Sequence, residues 1–281
     1  TETFLLIRRS CMSEDKITIF GLQFERELWS KREKIEFAIL DKVYHNIDLL
    51  NKNVLDGGTG IGYSAKYLAL HIGEGLVISV DIDSECFKTV RKIANKNLEA
   101  KIAFINADLR NLNFIKDEYF DFVNLYFTLH TVESTTPGDL LQILKEAYRI
   151  LKRKGKVIIV ENYPSFKPID KAQELLMELS TIEDEIMRAL SVRKDREYQP
   201  KELLNILIQT GFKDIIYEKI SDGVMDPTLI NWVSYLVRRA KEIRDKELKE
   251  SILNRIYSKL KDVKTYGLRD SPLYVLYAVK K

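Results

Sequence analysis

The run Val54-Leu55-Asp56-Gly57-Gly58-Thr59-Gly60-Ile61-Gly62 is the segment of this 281-residue chain best suited to hold a ligand. Glycines let a backbone turn sharply and approach a ligand with no Cβ in the way. The run leaves an apolar strand pattern and opens a helix, which is the setting a ligand-cradling loop needs. Its spacing, Gly58-x-Gly60-x-Gly62, departs from the Gly-x-Gly-x-x-Gly of dinucleotide sites, where a pyrophosphate rests on the helix N-terminus. Asp56 sharpens that contrast. A carboxylate there would repel a pyrophosphate but could face the ammonium group of an amino acid, so the loop favours an amino-acid-bearing nucleoside. An ordinary tight strand–helix turn is the plain alternative, and the acids that follow weigh against it.

Two more acids end the next strands. Val80-Asp81-Ile82-Asp83 closes the second, where Asp81 could accept hydrogen bonds from both hydroxyls of a ribose. Asp81 could instead cap the following helix, but Asp83 and Ser84 are better placed for that. Asn106-Ala107-Asp108-Leu109 closes the third: Asp108 could accept from an adenine amino group, with Leu109 and Ile82 offering apolar faces to the ring. Acids at the C-terminal ends of successive strands, beside a glycine loop, lie where open α/β sheets bind ligands.

Past the fourth strand, His130 is either a general base toward an acceptor hydroxyl or amine or a satisfied structural residue. Glu133 would orient it or stand in solvent. Tyr126 and Phe127 could surround a cation with π density, although packing is the ordinary role of aromatics in a strand. Trp29 and Tyr63 are candidate pocket walls on the same terms.

The elements that must position these residues follow from periodicity. Apolar residues from Phe24 and Leu28 to Val43 and Ile47 recur at helical spacing, predicting a helix over about 23–50. Short β-branched runs then alternate with amphipathic helices: strands near 53–55, 76–80, 102–105, 122–126 and 156–160, helices to about 72, to about 98 and over about 138–152. Such alternation predicts a mostly parallel sheet covered on both faces. Two further helical stretches, about 167–195 and 227–263, interrupt it. Around them lie a helix at 200–210, a strand at 213–220 and a last strand at 273–279.

With 45% apolar residues the chain can bury a full-sized core, and its 31% charged residues alternate in sign like a solvated surface. A net charge of +3 is too small to demand a nucleic-acid partner. Residues 238–264 hold ten Lys and Arg against five Asp and Glu, which is either an RNA-facing helix pair or a face laced with pairs such as Glu242 with Lys246. Only Cys11 and Cys86 are present, in no ligand-like spacing. Neither a disulfide framework nor a metal site is expected, and a reducing, cytoplasmic location is. No apolar run approaches the roughly 20 residues that span a bilayer. Residues 1–11, ahead of Met12, are taken as an N-terminal extension.

Together these motifs resemble the core of the class I S-adenosylmethionine (SAM)-dependent methyltransferases over about 52–163. Their apolar–acid–Gly-x-Gly-x-Gly motif is matched by Val54 to Gly62, their ribose-binding acid by Asp81 and their adenine-side acid by Asp108. Tyr119 to His130 is similar to their fourth-strand motif, which passes under the reactive methyl group. Glu146 to Glu161 resembles their helix and fifth strand, with Arg153-Lys154-Gly155 in place of a frequent Pro-Gly-Gly turn, and Thr210-Gly211-Phe212 their Gly-Phe turn. The resemblance implies a seven-stranded sheet in the order 3-2-1-4-5-7-6 with the last strand antiparallel. It also implies SAM as cofactor with S-adenosylhomocysteine (SAH) as product, and no metal. Asp56, Gly58, Gly60, Gly62, Asp81, Ile82, Asp108, Leu109 and Asn124 are the expected cofactor-binding residues, and His130 and Tyr126 the catalytic candidates. Residues 1–50 would form an extension and cap helix. Residues 51–281 would form the methyltransferase domain, with helical insertions at about 164–199 and 221–270 that could cover the carboxyl end of the sheet.

The acceptor is approached by elimination. Asn124-Leu125-Tyr126-Phe127 lacks the paired prolines of many base-amino methylating enzymes, no cysteine nucleophile lies nearby, and two cysteines are too few for arsenite chemistry. A small molecule is the expected acceptor, with RNA, protein, or SAM binding without transfer as alternatives.

Overall fold

The computed structural model describes residues 16–19, 22–93, 96–132, 139–192 and 194–281, with backbone alone for 16–19, 22–29, 92, 93, 96 and 99. The extension at 1–11, Cys11, Glu133 and the side chains of Phe24, Leu28 and Trp29 lie outside what is described. The chain divides into two bodies. One comprises Glu36–Ser165, Asp195–Ser221 and Leu273–Lys281; the other comprises residues up to Ile35 with Phe166–Lys194 and Asp222–Pro272.

The first body is built on seven strands: β3 (Asn53–Gly57), β4 (Leu76–Asp81), β5 (Ile102–Asn106), β6 (Phe120–Tyr126), β7 (Leu151–Asn162), β8 (Lys213–Ser221) and β9 (Leu273–Val279). They lie in the order β5-β4-β3-β6-β7-β9-β8. Counted within the sheet this is the expected 3-2-1-4-5-7-6. The first five strands are parallel, and β9 runs antiparallel to both its neighbours. Parallel pairing brings Gly57, Val80 and Leu125 to one level and sets Asp81 opposite Asn106. The acids of the sequence motifs thus share one carboxyl edge.

Alternate residues of each strand enter opposite layers. Leu55, Val80, Val123 and Ile159 join a core with Ile143, Leu144 and Ile150 of α6 (Asp139–Ile150) and Leu203 and Leu207 of α8 (Pro200–Thr210). Helix α8 starts where Pro200 follows a capping box made by Gln199 and Glu202, and ends on Gly211 in the left-handed region. Strand β7 begins earlier than its apolar run predicted. Lys154 takes a φ of 65° in place of the Pro-Gly-Gly turn, and its N–H donates to the Lys280 carbonyl at 2.7 Å.

In the second body α7 (Lys171–Ala189), α9 (Leu229–Lys241) and α10 (Lys246–Tyr266) share a core. Leu175, Leu179, Ile182 and Ile186 meet Val233, Leu236 and Ala240, then Ile252, Ile256 and Val263. The single stretch expected at 227–263 is two helices, because Asp245 caps a new start by accepting from the Leu248 N–H. Leu260, within that stretch, is exposed. Glu242 pairs with Arg239 rather than Lys246, and Arg255 and Lys259 pair with Glu185 and Glu178. Two charges of the basic excess at 238–264 are therefore met by acids of α7. The helix expected at 23–50 is shorter: β1 (Lys16–Ile19) and β2 (Leu22–Glu25) form an antiparallel pair, and α1 spans Arg26–Tyr44. Among the described residues no helix is long and apolar enough to cross a membrane.

Candidate functional site

The loop between β3 and α2 (Tyr63–His71) is held from the neighbouring strand. Gly58 N–H donates to the Val80 carbonyl at 2.8 Å, and Gly60 N–H donates to Oδ2 of Asp81 at 2.9 Å. Two of the glycines answer different demands. At Gly62, with φ of 87°, an added Cβ would fall 2.3 Å from Cγ2 of Val90, so the glycine lets α2 and α3 (Glu85–Ile93) pack closely. At Gly60, with φ of 53°, the nearest atom to an added Cβ would be 3.9 Å away. That open space at the Gly60 turn is a cradle a side chain would fill.

Asp56 is 1% exposed. Its Oδ1 accepts from Ser64 Oγ at 2.7 Å and from Asn124 Nδ2 at 2.8 Å. Its Oδ2 is buried and meets no partner among the described residues. Burial pushes the Asp56 carboxyl above its usual range, and hydrogen bonds from Ser64 and Asn124 pull it back. A buried carboxylate oxygen without a donor is costly, and a cationic ligand group would supply one. This orphaned atom fits the ammonium of an amino-acid-bearing nucleoside. Asn124 lies wholly inside, between Asp56 and Tyr44, whose hydroxyl donates to Asn124 Oδ1 at 2.7 Å.

Asp81 accepts one hydrogen bond on each oxygen, from Gly60 N–H and from Asp83 N–H at 2.9 Å. A carboxylate has about four acceptor sites, so capacity for two hydroxyls remains. Asp83, as expected, caps the helix that follows, accepting from Glu85 N–H. Ile82 is 62% exposed, unusual for its type, while Leu109 is buried. Asp108 forms a bidentate pair with Arg110, whose guanidinium also reaches Asp139. That pairing holds the Asp108 carboxyl below its usual range. Sequence reasoning missed Asn106, whose Nδ2 bridges the carbonyls of Asp81 and Ile82 at 2.9 and 2.8 Å. Its place at the end of the third strand, two residues before Asp108, was the available signal.

Past β6 the backbone is tied down at every step. Phe127 takes φ of 50°, rare for a bulky residue, and donates its N–H to the Val160 carbonyl. Thr128 Oγ1 donates to the Gly57 carbonyl at 2.7 Å. Glu161, 1% exposed at the end of β7, accepts from Leu129 N–H and from Nδ1 of His130, each at 2.7 Å. Burial lowers the His130 pKa, but Glu161, with Asp195 and Glu197, more than offsets it and the imidazole is pushed up to about 9. It therefore carries its proton at neutral pH. Tyr126 is buried, its hydroxyl donating to Glu36 and its ring edge-on to Phe127. Tyr63 is buried at the start of α2.

Comparison with known proteins bears on the family of the chain. The methyltransferase domain family matches residues 55–159. A demethylmenaquinone methyltransferase of Lactobacillus johnsonii is 31% identical over 181 residues, 60% of this chain and 71% of the relative. A ubiquinone/menaquinone biosynthesis C-methyltransferase of Rickettsia bellii is 26% identical over 203 residues, 66% of this chain and 78% of the relative. Among solved structures, a cyclopropane-fatty-acyl-phospholipid synthase-like protein from Lactobacillus casei shares the fold with a TM-score of 0.66 at 16% identity, covering 99% of this chain and 98% of that one. A phosphoethanolamine N-methyltransferase of Haemonchus contortus, in complex with SAH, gives 0.53 at 18% identity; the match covers 88% of this chain and 52% of that one. The chain belongs to the class I SAM-dependent methyltransferases and is an enzyme that takes SAM as its cofactor.

Proposed function

We propose that this enzyme methylates a ring carbon of a small quinone-class molecule in its reduced, hydroquinone form. The similarity to the Lactobacillus johnsonii demethylmenaquinone methyltransferase, at 31% identity across 71% of that protein, carries the acceptor class. Chemistry selects the reduced form: a methyl cation equivalent needs an electron-rich carbon, and a quinone ring is electron-poor where its hydroquinone is not.

Bound SAM supplies an electrophilic methyl group on a positively charged sulfur. Asp56 receives the ammonium of the amino-acid arm on its orphaned oxygen, Asp81 the ribose hydroxyls, and Asp108 the adenine amino group. Ile82 and Leu109 flank the adenine, while Gly58, Gly60 and Gly62 keep the backbone clear of the ligand. Asn124 serves from beneath by steadying Asp56. Tyr126 and Phe127 give the reacting edge an aromatic wall, where π density favours a cation. His130, protonated through Glu161, does not act as a general base at neutral pH. Its proton and charge instead favour the anionic form of an acceptor oxygen, and the acceptor's own protons leave to solvent. The main contribution of these residues is orientation and exclusion of water.

The test is transfer of label from methyl-tritiated SAM. Purified protein is offered a short-chain naphthohydroquinone, total RNA and a protein extract separately. Label fixed on the ring carbon of the hydroquinone is the expected result. Label in RNA or protein would contradict the acceptor, and label bound but never transferred would contradict turnover.

A further inference from the structure

We infer that Tyr44, the last residue of α1, positions the amino-acid arm of the cofactor through Asn124 and Asp56 without touching the cofactor itself. The inference rests on the proposed reading of Asp56 as the group that meets the ammonium.

The geometry is a buried relay. Tyr44 Oη donates to Asn124 Oδ1 at 2.7 Å, Asn124 Nδ2 donates to Asp56 Oδ1 at 2.8 Å, and Ser64 Oγ donates to the same oxygen at 2.7 Å. All four side chains are buried. A primary amide can turn over within the same volume, exchanging its oxygen and nitrogen. Only one of the two orientations gives Asp56 a donor; the other would set the amide oxygen against the carboxylate. The carboxylate, which only accepts, calls for the amide nitrogen, and the Tyr44 hydroxyl, donating to Asn124 Oδ1, holds the other end in the same orientation. Burial first, and the Asp56 carboxylate second, push the Tyr44 phenol well above its usual range, so the hydroxyl keeps the proton it donates. The ring is itself held, stacked on Tyr67 with centroids 5.7 Å apart, and the Tyr67 hydroxyl donates to Asp41 at 2.9 Å.

With Oδ1 fully committed to Asn124 and Ser64, Oδ2 is the oxygen left for a ligand. Removal of the Tyr44 hydroxyl takes away one of the two partners that hold the amide, and the bond from Asn124 to Asp56 then loses its fixed posture. Damage should fall on the amino-acid arm alone, since the adenosine part is assigned to Asp81, Ile82, Asp108 and Leu109.

Two ligands separate that from a general loosening: SAH, which has the amino-acid arm, and 5′-methylthioadenosine, which keeps the adenosine and sulfur but lacks it. Calorimetric titration of both into Tyr44→Phe should show SAH weakened about threefold to tenfold, as for one lost hydrogen bond. Methylthioadenosine should stay within about twofold of wild type, and in turnover the KM for SAM should rise with kcat little changed. Asn124→Leu, close in shape but unable to relay, should reproduce the split and serves if Tyr44→Phe does not fold. Asp56→Asn is the control. If Asp56→Asn discriminates between the two ligands while Tyr44→Phe and Asn124→Leu weaken both alike or neither, the relay is overturned and the reading of Asp56 stands. If Asp56→Asn fails to discriminate, that reading falls and the relay falls with it.

Discussion

Nδ1 of His130 donates to Oε2 of Glu161 across 2.7 Å, tying the turn after β6 to the end of β7. Both oxygens of Glu161 serve that turn, one through the His130 ring and one through the Leu129 N–H. The pair fixes the charge of the imidazole as well as the path of the chain.

A dependence of stability on pH follows. The folded-state pKa of His130 is pushed up to about 9, against about 6.5 in an unfolded chain. The stability from this pairing is fully present below about pH 6.5 and is lost as pH rises through about 9. Urea unfolding of wild type and His130→Gln at stepped pH should therefore give a difference that is flat below that window and vanishes above it. A difference that grows with rising pH would contradict the pairing.

The two glycines should respond differently to alanine. In Gly62→Ala the new Cβ would stand 2.3 Å from Val90 at a φ of 87°, so a loss of about 2 kcal/mol or more in stability is expected, partly restored by Val90→Ala. In Gly60→Ala the nearest neighbour would be 3.9 Å away. There the backbone alone should cost about 1–2 kcal/mol, while SAH affinity falls about tenfold, near 1.4 kcal/mol. Thermal unfolding with and without SAH separates the two. Equal behaviour of both variants in both measurements would remove Gly60 from the cradle.

Asp108 and Asp56 should differ in what they discriminate. Asp108 is assigned to the adenine end, so Asp108→Ala should weaken SAH and 5′-methylthioadenosine alike, by about 1 kcal/mol for a lost acceptor. Its pair with Arg110 is one-third exposed, and its loss should change stability by no more than about 1 kcal/mol. A selective loss of SAH would place Asp108 at the other end of the ligand.

What the sequence made legible was local. The glycine loop, Asp81 and Asp83 announce themselves because strand, turn and helix follow within a few residues, and the sheet order follows from alternation joined to family resemblance. The Tyr44–Asn124 bond closes over 80 residues and His130–Glu161 over 31, so neither has a spacing that periodicity can see. For that reason His130 looked as fit to be a base as to be structural, when its charge depends on a residue one strand away. Some signals were present but outweighed. Leu22-Gln23-Phe24-Glu25 alternates with the period of a strand beside Gly21, yet Phe24 and Leu28 also fit helical spacing. Asp245 is a good cap inside what looked like one long helix.

The most direct test is calorimetric titration of SAM and SAH into wild-type protein and Asp81→Ala. Asp81 is assigned the ribose hydroxyls, and it also holds the loop through Gly60 N–H. Saturable binding of both ligands, weakened by about 1–3 kcal/mol in the variant, is the predicted result. No binding of either ligand to folded wild-type protein would contradict the account.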